Sequence, residues 1–141
     1  THAAIDGRDA KRFLDRAFEA DYVVNGPSLF RLTQIMFNRW KRYHGSTDVR
    51  LRARMADEAG QMRRGYGATL WAMERYLRTS NAGVSARIRE LRLEMERELR
   101  GFTRAIDWTL GPILLWSARR EARRFPRGRA LEPQTFVARR A

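Results

Sequence analysis

With 141 residues, 43% of them apolar and none cysteine, the chain has the length and hydrophobicity of one domain around one core. That composition excludes an unfolded chain, disulfide stapling, thiolate nucleophiles, cysteine-held zinc and iron–sulfur ligation. Basic residues outnumber acidic ones 29 to 16, a net charge of +13 that favours an acidic partner such as a nucleic acid, an anionic membrane or an acidic neighbouring domain.

Apolar residues recur at intervals of three and four rather than two, so the pattern predicts an all-α fold and no strand. Asp6 or Asp9 caps a first helix over about 9–24, with Phe13, Ala17, Phe18 and Tyr22 or Val24 on one stripe. Asn25-Gly26 stops it, because both residues tolerate the left-handed conformation, and Pro27 opens the next helix at its first position. That second helix runs to Tyr43 with Leu29, Leu32, Ile35 or Met36, Arg39-Trp40 and Tyr43 on an apolar face. After the turn at His44–Thr47, Asp48 caps a long third helix over 48–78. Gly60, Gly65 and Gly67 each weaken that helix by up to about 1 kcal/mol relative to Ala, so packing holds it or it breaks near Gly65-Tyr66-Gly67.

Thr79–Gly83 reads as a linker. The fourth helix, from 84 to 100 or beyond, carries Val84, Ile88, Leu91, Met95, Leu99 and Phe102 at regular helical spacing, with Glu and Arg over most of the rest. Burial of each apolar member is worth roughly 1.5–3 kcal/mol, against about 0.2–0.5 for an exposed Glu–Arg pair, so the core decides this helix. Trp108–Pro112 interrupts the helical pattern, and Pro112 begins a fifth helix that ends near Arg124. Residues 125–141 read as an extended basic tail in which Phe136 and Val137 dock on the body. The expectation is a single helical domain over 1–141, about five helices in an irregular bundle. Residues 112–141 carry eight basic and two acidic side chains, nearly half of the total excess.

Catalytic patterns are weak. His44 and Asp48 are four apart, but the intervening turn spoils a helical metal pair, and His2 is the other histidine. Glu94, Glu96 and Glu98 stand among arginines, which oppose the raised pKa that acid catalysis needs, so they read as a solvated face. Ser28, Ser46, Ser80, Ser85 and Ser117 have no nucleophile elbow, and Gly65-Tyr66-Gly67 lacks the spacing of a phosphate loop. The expected catalytic, cofactor and metal residues are therefore none.

The candidate partner surfaces are basic. Arg39, Lys41 and Arg42 around Trp40 and Tyr43, and Arg63-Arg64 before Tyr66, interleave cations with aromatics as nucleic-acid surfaces do. Core placement of Trp40 and Tyr43, with the cations toward water, is the favoured reading. Trp108 and Trp116 flank an apolar stretch that precedes Arg119, Arg120, Arg123 and Arg124. That suits an interfacial membrane contact, although a buried central helix with a basic end is favoured. No run of about 20 apolar residues is present. A cytoplasmic setting, peripheral to a membrane in the third functional reading, is the expectation.

Four short segments resemble one family as a set: Asn25-Gly26-Pro27-Ser28-Leu29-Phe30, Trp40-Lys41-Arg42-Tyr43, Gly111-Pro112 with Ser117-Ala118-Arg119-Arg120-Glu121, and Glu132-Pro133-Gln134-Thr135-Phe136. Over residues 20–137 the chain resembles the helical C-terminal region of cobalamin-binding radical-SAM proteins. The resemblance implies an accessory domain of a larger enzyme, and the missing initiator Met fits that expectation. The parent's 4Fe–4S cluster, S-adenosylmethionine and cobalamin would be bound outside this chain, and its catalytic domain would be the partner. The alternatives are a basic helical nucleic-acid-binding module and a peripheral membrane module.

Overall fold

The structure, a computed structural model, describes residues 7–99 and 104–124, and every regular element among them is helical. Helix α1 spans Gly7–Asn25, α2 Ser28–Tyr43 and α3 Val49–Gln61. A single π-helical segment, Met62–Tyr66, joins α3 directly to α4 at Gly67–Leu77; α5 is Ala82–Glu98 and α6 is Arg104–Arg124. Counted as continuous rods these are five, as the sequence pattern predicts. Asp6, Phe102 and the expected tail at 125–141 lie outside the described residues.

The helix ends follow from local chemistry. Gly26 closes α1 with φ +81°, and its N–H donates to the Tyr22 carbonyl at 2.9 Å. A side chain there would meet Val84 of α5 at 2.7 Å, so glycine is required both for the turn and for the close approach. Pro27 sits one place earlier than expected, at the N-cap of α2 rather than its first helical position. Asp48 caps α3 as expected, its carboxylate accepting from the N–H groups of Arg50 and Leu51 at 2.8 and 3.2 Å. Asn81 caps α5 by accepting from the Val84 N–H at 3.1 Å, and its amide donates to the Val23 carbonyl at 2.7 Å. One residue thus starts α5 and ties down the end of α1.

Of the two alternatives at the glycines the helix holds, and the interruption expected at Trp108–Pro112 is absent. The glycine-rich stretch at 65–67 does not break the third rod; it widens into the π turn, which keeps a backbone hydrogen-bonding ladder running while absorbing poor α-formers. Pro112 likewise does not start a helix but lies inside α6. Proline removes one hydrogen bond and crowds the preceding turn. Extensive packing of α6 on α4 holds both halves in one rod.

Helix α4 lies at the centre, packed on α5 and α6. The core joins Phe30, Phe37 and Trp40 of α2 with Met55 and Met62, Leu70 and Leu77, and the α5 stripe Val84, Ile88, Leu91, Met95 and Leu99. The four α5 positions and Leu99, the residue that caps the helix, are buried as expected. In α2 the buried arc is turned by about one residue from the expected face: Phe30, Thr33, Met36, Phe37 and Trp40 are buried, whereas Leu32, Ile35 and Tyr43 are exposed. Thr33 survives in the core because its hydroxyl donates to the Leu29 carbonyl at 2.7 Å.

Candidate docking surfaces

Arginines gathered around the buried Glu58 and Glu74 neutralise part of the positive charge. Glu58 accepts both branches of Arg39, at 3.1 and 2.6 Å, and also the Arg54 Nε at 3.2 Å. Glu74 accepts from Arg92 Nε and Nη2 at 3.3 and 3.2 Å, and Arg92 also donates to Glu96. Forked pairs of this kind are geometrically rigid. Glu96 is accordingly part of a half-buried network rather than the solvated face expected from its neighbours.

The sequence-derived cations divide by location. Arg39 is taken up by Glu58, and Lys41 donates to Glu94 at 2.6 Å while its ammonium lies 4.9 Å from the Phe37 ring centre. Arg42 is exposed beside the Tyr43 ring. Arg63 is half-buried with its Nε in contact with no hydrogen-bond partner, and Arg64 is exposed on the π segment. Trp40 is core, stacked between Phe37 and His44, so it offers no face to a nucleobase. The two predicted cation–aromatic clusters of α2 and the π segment therefore form no continuous open platform of ring faces.

Helix α6 is different. Trp108 is 73% and Trp116 61% exposed, which corrects the favoured expectation of a buried central helix. Its inward side is narrow. Gly111 lies against the Trp71 ring of α4, where an added Cβ would come within 2.7 Å of Cε3. A helix that docks through a glycine approaches closely and leaves its bulky residues pointing away, so Ile113 and Trp116 face outward with Arg119, Arg120 and Arg123. Arg124 pairs with Glu121 at 2.9 Å, and the Arg120 guanidinium lies 5.3 Å from the Trp116 ring centre.

Beside Gly111, Asp107 is buried with one carboxylate oxygen lacking a hydrogen-bond partner. Burial pushes its carboxyl above the ordinary range and Glu96 adds to this, while Arg92 opposes it. Arg75 stacks on Trp71 at 3.5 Å, and desolvation lowers its guanidinium from the usual value. Nothing in the sequence marked this α4–α6 seam except Gly111 itself.

The surface that the sequence did not reveal is α1. Its apolar stripe was expected in the core, yet Phe13 and Phe18 are 73% and 70% exposed, and Leu14, Val23 and Val24 are exposed as well. The helix has only slight contact with α5. Its four basic residues, Arg8, Lys11, Arg12 and Arg16, match four acidic ones, Asp9, Asp15, Glu19 and Asp21. Tyr22 leads from this face into an apolar groove of about 300 Å³ shared with Met73 and Tyr76 of α4 and Leu114 of α6.

Among the described residues no three His, Asp or Glu side chains come together in a way that could hold a metal ion, and no helix is long and apolar enough to cross a membrane. Comparison of the chain with family models, with curated proteins and with solved structures gives no match.

Proposed function

We propose that this chain is a non-catalytic helical accessory module that packs, through the apolar face of α1, on the catalytic part of a larger protein. The observation that carries the reading is an amphipathic helix with balanced charge whose Phe13, Leu14 and Phe18 are left open to solvent. Contiguous exposed apolar surface of this kind marks an interface. A neutral helix gains nothing from a polyanion, so its fitting counterpart is the apolar surface of a protein. The resemblance to the C-terminal region of cobalamin-binding radical-SAM proteins supplies the class of parent. In that reading the iron–sulfur cluster, S-adenosylmethionine and cobalamin belong to the parent's other domains, and this module shields a large substrate or positions the enzyme.

The test is the reading frame upstream of Thr1. The proposal requires it to continue through a three-cysteine cluster motif and a cobalamin-binding domain. A reading frame without them removes the radical-SAM parent.

A further inference from the structure

We infer that the outer face of α6 is a membrane-contact surface for anionic lipid headgroups. It is a different face from that of α1, and the inference does not depend on which parent the module serves. Three observations converge. First, Trp108, Ile113 and Trp116 are exposed on a helix already docked through Gly111, so the face is not waiting for another element of the described fold. Second, Arg119, Arg120 and Arg123 are exposed on the next turns of the same helix. Third, α6 carries five arginines against Asp107 and Glu121, a net charge of +3, where α1 carries none.

The order along the helix decides between anionic partners. Ile113, Trp116, Arg120 and Arg123 follow one another at three, four and three residues, so they share one stripe along α6. A helix lying in the interface plane would set the apolar members about 5–10 Å into the headgroup–acyl boundary and leave the long arginines to reach the phosphates. An indole ring suits that boundary because one end is apolar and its N–H needs a polar neighbour. Nucleic acid would use the arginines and could stack on Trp116, but it offers no partner to Ile113, which lies between the two tryptophans in sequence. An acyl chain does. Arg120, lying over the Trp116 ring, holds the cationic and apolar parts of the surface together.

The full 141-residue chain would be sedimented with vesicles of phosphatidylcholine alone and of phosphatidylcholine with phosphatidylglycerol. Because the whole chain is basic, the comparison that matters is between faces. Ile113→Ala with Trp116→Ala should weaken partition into the anionic vesicles about tenfold. Arg50→Gln with Arg52→Gln, which removes two positive charges from exposed positions on α3 where the α6 variant removes none, should change it less than about twofold. All four side chains are exposed, and circular dichroism confirms that each variant is folded. Equal partition into neutral and anionic vesicles would overturn the inference, as would an α6 variant that binds like the unaltered chain. So would loss by the α6 variant of RNA binding or self-association while its vesicle binding is unchanged.

Discussion

Replacing Gly111 by alanine separates helix propensity from packing. In a helix interior, Gly→Ala alone stabilises by about 1 kcal/mol. At Gly111 the new methyl group would sit 2.7 Å from Cε3 and 2.9 Å from Cδ2 of Trp71, inside any normal carbon–carbon contact. The obstacle is an indole ring, itself held beneath Arg75, rather than the movable tip of a long chain. Overpacking of this kind costs roughly 1–3 kcal/mol. Gly60, inside α3, is the matched control: an added methyl there meets only the end of the Arg64 side chain, at 3.6 Å. Gly60→Ala should therefore stabilise the fold, and Gly111→Ala should leave it about 1–3 kcal/mol less stable than Gly60→Ala, since the propensity gain cancels between them. Urea titration followed by circular dichroism reads the difference directly. A Gly111→Ala variant as stable as Gly60→Ala would refute the close α4–α6 seam.

Three further perturbations follow from the same structure. Asn81→Ala removes both the cap of α5 and the bond to the Val23 carbonyl, and should cost about 1–2 kcal/mol in urea unfolding; an unchanged midpoint would contradict both contacts. Pro112→Ala should stabilise by about 1–3 kcal/mol because it restores a backbone donor within continuous α6, whereas a helix that truly began at residue 112 would gain nothing. Asp107 has a folded pKa above its unfolded value, so the folded state binds more protons there and the group's unfavourable contribution is largest when ionised. Asp107→Asn should accordingly raise the melting temperature near neutral pH, with the advantage closing as acid protonates Asp107 in the parent chain; an advantage that grew in acid would reverse the assigned sign.

What could be read from residues alone depended on whether a helix had one apolar arc or two. In α5 the stripe from Val84 to Leu99 is single and bordered by Glu and Arg, so the pattern identifies its buried face. In α2 the sets Leu29, Leu32, Ile35 and Phe30, Thr33, Phe37 compete, and the position of α3 and α5 selects the second. Periodicity identifies α1 as amphipathic but carries no information on whether a partner lies within the same chain. Asp48 and Gly26 were legible because a cap and a left-handed turn are local events. The π turn and the passage of α6 through Pro112 were not, since distant packing decides whether a poor helix-former breaks a rod. Arg39 was marked as a surface cation because its acceptor, Glu58, lies nineteen residues away on another helix.

Hydrogen–deuterium exchange over α1 probes the docking proposal most directly, comparing this chain alone with the same chain joined to the catalytic polypeptide that the proposal requires as its partner. The account predicts rapid exchange along 13–24 in the isolated chain and marked slowing in the joined protein, reversed by Phe13→Asp with Phe18→Asp. Equal exchange in the two forms would contradict it.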